Sequence, residues 1–225
     1  MKEVVKQLKN DCIITSNTQV QKSWRDISEG IKNGSVIMKI GDIVTCNLPH
    51  GRIADFIVTD ITNEYVRFES KDCIGDCISH SYTIDYLNSI LWNILPEELQ
   101  NVISTVKRKG IKDGNEFEYE CKLFIPSASE VFEDDMCKGD KGLYKQLEWY
   151  KDRRHRMKGQ NREEDTDYWW LSSTASEYLN PRASCAVDCY GNPYLANWVN
   201  SLHVSVCFHI SKTYSEDNKY IKETI

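Results

Sequence analysis

DYWWLSSTASEYLNPRASCAVDCYGNPYLANWVNSLHVSVCFHI, from Asp167 to Ile210, breaks in composition with everything before it. It holds no Lys, Gln or Met, in a chain that is 28% charged. An aromatic-apolar block (Tyr168, Trp169, Trp170, Leu171) opens it and an alternating block (Val204, Val206, Phe208, Ile210) closes it, and both read as buried strands. Between them, Ser172–Ser205 is rich in Ser, Asn, Tyr, Ala and Cys and reads as a displayed surface. Tyrosine gives large amphipathic contact at low entropic cost, while Ser and Asn give adaptable hydrogen bonds. The candidate ligand-binding residues are Tyr178, Asn180, Arg182, Asp188, Tyr190, Tyr194, Asn197, Trp198, Asn200 and His203, with the three tyrosines and the tryptophan as anchors. Gly191 reads as the turn that lets the displayed segment fold back.

Working back from this stretch, the polar loop 158–166 follows a Tyr- and Arg-rich stretch, Leu143–Met157, that reads as helical. Before it stands KLFIPSASEVF (Lys122–Phe132), where a strand ends at Ile125-Pro126 and Ser127 with Glu130 makes a capping box, so a short helix should start there. Strands are expected over Val102–Lys109 and Glu116–Phe124, joined through a Gly110–Gly114 turn. A helix around Ile84–Leu95, with Leu87, Ile90, Leu91 and Ile94 on one face, stops at Pro96, and a second begins at Glu97-Glu98. Val36–Ile40, Ile43–Leu48, Ile53–Asp60 and Tyr65–Ser70 read as an antiparallel meander. Met1–Asn10 and Gln21–Lys32 read as helices, the second with Trp24, Ile27 and Ile31 on its apolar stripe and Asn33-Gly34 as its stop. The expected organisation is a helical extension over 1–34 that packs on the domain or on a second copy, one domain over 35–211, and a polar tail over 212–225.

The overall balance bounds the partners. A net charge of −6 argues against a nucleic-acid backbone, and the basic run KDRRHRMK at 151–158 is offset by Glu163, Glu164 and Asp165. No window approaches the roughly 18 apolar residues of a spanning helix, so membrane insertion is not expected. MKEVVKQLKN lacks the apolar run of a signal peptide, which predicts cytoplasmic synthesis without that route of export. Nine cysteines without a framework spacing predict reduced thiols. The i,i+4 pairs Cys73/Cys77 and Cys185/Cys189 lack zinc-knuckle spacing and read as small core residues, so no metal and no cofactor are expected.

Several motifs together resemble a domain common in prophage and gut-bacterial proteins: Leu123-Phe124-Ile125-Pro126-Ser127 with Glu130, Tyr150-Lys151-Asp152-Arg153-Arg154, Trp169-Trp170-Leu171 with Ser173, Gly191, and Val204 with Cys207-Phe208. The resemblance covers about Gly41 to Ile210. The closing segment also resembles the variable region of proteins diversified by retroelements, which implies an α+β, C-type-lectin-like fold of mainly antiparallel sheets with flanking helices. It implies, too, a receptor-type protein that recognises a protein or cell-surface ligand, with virion association as one setting. That family's Gly-Val-Arg-Pro is here His203-Val204-Ser205-Val206. Asn codons rewritten at their adenines cannot reach Lys, Gln, Met, Glu or Trp, and between Ser172 and Ser205 only Glu177 and Trp198 fall outside the reachable set.

Two rivals stay open. The same fold is that of formylglycine-generating oxidases, whose strand-to-helix joint resembles KLFIPSASE, and whose chemistry would need Cys185, Cys189 or Cys207 beside His203 or His209. Alternation places Ser205, Cys207 and His209 opposite Val204, Val206, Phe208 and Ile210, and one of these faces must be core, so His209 reads as a sheet residue and a non-enzymatic role is expected. The other rival is a structural or tail-associated phage protein, an analogy of fold alone. Calcium-dependent sugar binding lacks the run of oxygen ligands, about six to eight, that calcium takes.

Overall fold

The computed structural model describes residues 12–15, 20–75, 77–112, 115–133, 142–160, 165–175 and 183–214. It is an α+β structure of mainly antiparallel sheets with few helices. The strands in chain order are β1 (Cys12–Thr15), β2 (Val20–Lys22), β3 (Ile43–Asn47), β4 (Ile53–Ile61), β5 (Tyr65–Ser70), β6 (Ile78–Ser79), β7 (Val106–Lys112), β8 (Asn115–Cys121), β9 (Lys158–Gly159), β10 (Thr166–Asp167), β11 (Trp169–Thr174), β12 (Ala183–Val187), β13 (Pro193–Asn197), β14 (Ser201–Val204) and β15 (Cys207–Ser211). One sheet runs β15-β5-β4-β3-β1-β2, wholly antiparallel. The other runs β13-β12-β11-β14-β6, with one parallel pairing, β11 to β14. The chain crosses from the second sheet to the first at Ser205-Val206, which is why the closing block is buried on both sides.

The main core gathers Phe56, Phe68 and Phe208 from the first sheet, Trp170, Ala186 and Val204 from the second, and the helix Trp24–Asn33. That helix is read correctly from its apolar stripe: Trp24, Ile27 and Ile31 are buried, Ser23 and Asp26 form a capping box, and Gly34 ends it in the left-handed region. Trp24 meets Phe56, Phe68 and Phe208 edge-on. The part of the expected extension that is described is not an appendage, since β1 and β2 extend the first sheet and the helix belongs to its core. Met1–Asn10 lies outside the described residues.

Three other expectations give way. Val36–Ile40 is not a strand; Val36 packs over Gly30, and the Asp42 carboxylate accepts from Lys39 N. Leu143–Met157 is not one helix but two short 3-10 turns, Glu148–Lys151 and Arg153–Arg156. Its side chains serve the turns: Asp152 caps the second, and His155 stacks flat on Trp149 at 3.5 Å. Ile90, expected on the apolar face of the helical segment Thr83–Ile94, is exposed, because that segment runs through a π-helical stretch, Leu87–Leu91, that shifts the facing positions.

Candidate functional site

The candidate face is held up by a buried ionic framework. The Ser127–Glu130 capping box forms as expected, and the same Glu130 carboxylate accepts from Arg67 at 2.6 Å and from Arg108 at 2.8 and 2.6 Å. Behind it, the Glu69 carboxylate accepts from the Tyr150 hydroxyl and from Ser205 Oγ at 2.7 Å, and lies 3.0 Å from Lys158 Nζ. All five charged groups are buried. Burial pushes the Glu130 carboxyl up, but the Arg108 and Arg67 guanidiniums outweigh it and hold it well below the usual carboxylate range. Lys158 and Arg67 do the same for Glu69. Glu130, Tyr150 and Ser205 come from separate sequence motifs and meet in one buried network.

On this framework β11 is fixed from both sides. Trp169, Trp170 and Leu171 are fully buried; Trp169 Nε1 donates to the Arg156 carbonyl at 2.9 Å and Trp170 Nε1 to the Ile78 carbonyl at 2.7 Å. Gly191 is required twice over: its φ is 77°, and a Cβ there would stand 2.7 Å from the Arg153 carbonyl oxygen. The tight turn is thereby seated on the Arg153–Arg156 segment.

The candidate ligand-binding residues divide. Tyr190 (65% exposed) and Tyr194 (40%) stand at one end of β13, where Tyr194 meets Tyr168 edge-on. Trp198 (42%), with exposed Asn197 and Asn200, stands at the other end beside an unanticipated Val199 (69%). Asp188 and Asn197 hold turns: Asp188 accepts from Tyr190 N and Asn192 N, and Asn197 Oδ1 from Val199 N. His203 is a correction, because its ring is buried against Asp167 and Cys77 rather than displayed. So is β12, which lies inside the expected display segment yet is buried along its whole length. Paired on both sides, β12 faces hydrophobic clusters front and back, and its small residues are there because space is short. Tyr178, Asn180 and Arg182 lie outside the described residues.

At the Trp198 end the sheet borders a cavity of about 290 Å³. Ser172–Thr174 of β11 form one wall, the β7–β8 hairpin a second through Phe117 and Tyr119, and His80, Thr83 and Leu87 a third. The Trp198 carbonyl accepts from His80 N at 3.0 Å, which joins the exposed turn to the cavity wall. His80 Nε2 lies 2.9 Å from the Leu171 carbonyl, which only accepts, so Nε2 carries the proton. Burial pushes the His80 pKa down, so the ring is neutral and Nδ1 is an acceptor. Thr83 Oγ1, buried in this wall, has no hydrogen-bond partner among the described residues. An apolar cavity with a few polar groups is what a small-ligand pocket requires.

The residues proposed for thiol chemistry do not assemble. Cys207 is fully buried, its thiol pushed up by burial, with Sγ 3.3 Å from Arg67 Nη2. Cys185 corrects the expectation of reduced thiols throughout, since it is disulfide-bonded. His209 is held down to about 3 by burial and by Arg67 and Arg108. It is stacked 3.8 Å from Tyr65, with both faces of its strand buried. Among the described residues no group of three His, Cys, Asp or Glu side chains is placed to hold a metal. No described helix is long and apolar enough to cross a membrane.

An α+β protein with a buried ionic core and an aromatic, cavity-bearing end is the class that these features define. A family model described as "Domain of unknown function (DUF6273)" matches residues 59–212, more than half of the chain, and the chain belongs to that family. No curated protein and no solved structure matches it.

Proposed function

We propose that this chain is a non-enzymatic ligand-recognition protein of C-type-lectin-like fold, binding a protein or cell-surface ligand through the end of the second sheet. The observation that carries this is the join between display segment and cavity. Ser172–Thr174 line the cavity, and Trp198 and Val199 stand exposed on the turn bonded to its His80 wall. Exposed aromatics beside a concave apolar site are the usual anchors of recognition. Diversification by a retroelement rests on the codon composition of 172–205 and on the resemblance of the closing segment.

An array of bacterial cell-surface glycans and purified envelope proteins, probed with the wild type and with a Trp198→Ala, Val199→Ala, Asn200→Ala variant, tests the binding. A ligand retained by the wild type and lost by the variant, at an unchanged melting temperature, is the expected result. Retention of the same ligand by the variant contradicts it. For the diversification, the locus should hold an adenine-rich near-copy of the coding sequence for 172–205 beside a reverse transcriptase gene. A locus without these removes that part of the proposal and leaves the binding.

A further inference from the structure

We propose that the cavity beside the second sheet is a binding site for a small, neutral, flat aromatic molecule about the size of indole. The site goes beyond recognition of a cell-surface ligand by the exposed turn, because Trp198, Val199 and Asn200 do not line the cavity.

The flat wall comes from the β7–β8 hairpin. Its pairing sets Gly110 opposite Phe117, and alternation puts Phe117 and Tyr119 on one face of β8. The Phe117 ring lies across Gly110 so closely that a Cβ there would stand 2.7 Å from Phe117 Cζ. The glycine therefore seats the ring on the neighbouring strand. Tyr119 continues the surface, its ring centroid 5.7 Å from that of Phe117 and its plane tilted by 29°. Both rings line the cavity, and Phe117 is still 42% exposed. Ile84, Leu87, Leu123 and Ile125 add aliphatic walls. A flat ring thus meets a stacking surface inside an apolar recess.

Charge and size narrow the ligand further. Lys109 is the one charged side chain among the described lining residues, and its ammonium lies 4.0 Å from the carboxylates of both Glu116 and Glu118, outside in solvent. Burial keeps the other titratable groups of the lining neutral: it lowers the His80 imidazole and raises the Tyr119 hydroxyl to about 12 and the Cys121 thiol to about 11. An ion entering here would lose hydration and find no unmatched counter-charge. The polar handles are few, namely the His80 Nδ1 lone pair and the Tyr119 hydroxyl, which is bonded to no other described residue. They serve one or two N–H or O–H groups, too few for a sugar ring whose hydroxyls would be desolvated together. A dry cavity of roughly 150 Å³ holds benzene, so one of about 290 Å³ takes a bicyclic ring.

The test is titration of the native protein with indole, indole-3-acetate and methyl glucoside, read by saturation-transfer NMR. Indole should saturate with a Kd on the order of 0.1–1 mM. The other two should bind at least about tenfold more weakly, the first for its charge and the second for its unmet hydroxyls. Phe117→Ala should weaken indole about tenfold, and Ile84→Asp, which sets a carboxylate on the neutral wall, should abolish binding. Both positions are exposed, 42% and 56%, so both variants should keep the wild-type melt. The array experiment reads Trp198, Val199 and Asn200 and this one reads Phe117 and Ile84, so either reading fails without the other. Indole that does not saturate below about 10 mM, binding untouched by either variant, or indole-3-acetate or methyl glucoside binding as well as indole, overturns the proposal.

Discussion

The Glu69–Glu130 network and the Trp198 end of the second sheet are both rich in polar groups, yet they are built on opposite terms. In the network, charges that water would otherwise hold are buried and matched to one another at 2.6 to 3.0 Å, so removing one partner strands the others. At the Trp198 end Trp198 (42% exposed) and Val199 (69%) reach into water, and no buried charge depends on them among the described residues. A change in the first region should therefore disturb the fold, and a change in the exposed side chains of the second should not.

The largest expected effect falls on the network. Glu130→Gln leaves two buried guanidiniums facing a neutral amide and should cost about 3–5 kcal/mol in denaturant unfolding. Trp170→Ala, which empties a fully buried site and removes the donor to the Ile78 carbonyl, should cost a similar ~3–5 kcal/mol. A loss under about 1 kcal/mol for either would dissolve the contrast between the two regions.

Acid should attack the same core in two windows. His209, near 6.5 when unfolded and held down to about 3 in the fold, binds a proton only on unfolding between these values. Its share of stability is thus present above pH 6.5 and lost as pH falls toward 3, on the order of 2–4 kcal/mol. Glu69 and Glu130 have lowered folded pKa values, so their share is present above about 4.3 and is lost below it. His209→Leu should flatten the upper window, between pH 6.5 and about 4.5, and leave the lower one in place, as unfolding free energy measured across pH would show. His209 Nε2 is buried without a partner among the described residues, so little bonding is lost in the exchange.

How much of this was legible follows from how far each feature reaches along the chain. The Ser127–Glu130 box spans four residues, and the Trp24–Ile27–Ile31 stripe spans two turns; both are local patterns and both hold. That Glu130 also receives Arg67, and that Glu69 receives Tyr150, could not be read, because those pairs are 63 and 81 residues apart. β12 misleads for a different reason, since Ala, Ser and Cys suit a displayed loop and a crowded sheet interior equally well. His203 reads as displayed from its position in Ser172–Ser205, while its burial is set by β6 and Asp167, which lie outside that segment. Of the display residues, Tyr190, Trp198 and Asn200 are exposed as expected, and nothing in their spacing foretold the cavity beside them.

The smallest effects should come from the exposed side chains at the two ends of β13. Tyr194→Ala loses one edge-on contact with Tyr168 and should cost about 1 kcal/mol. Trp198→Ala and Asn200→Ala should each stay within about ±0.5 kcal/mol, as thermal melts of the single variants would show.

The separation of the two regions is tested most directly by equilibrium unfolding of two proteins, the Trp198→Ala, Val199→Ala, Asn200→Ala triple variant and Glu130→Gln. The account predicts that the triple variant keeps a single cooperative transition within about 1 kcal/mol of wild type, while the single Glu130 substitution loses at least about 3 kcal/mol. A triple variant that unfolds as readily as Glu130→Gln would contradict it, because the exposed end would then be part of the core.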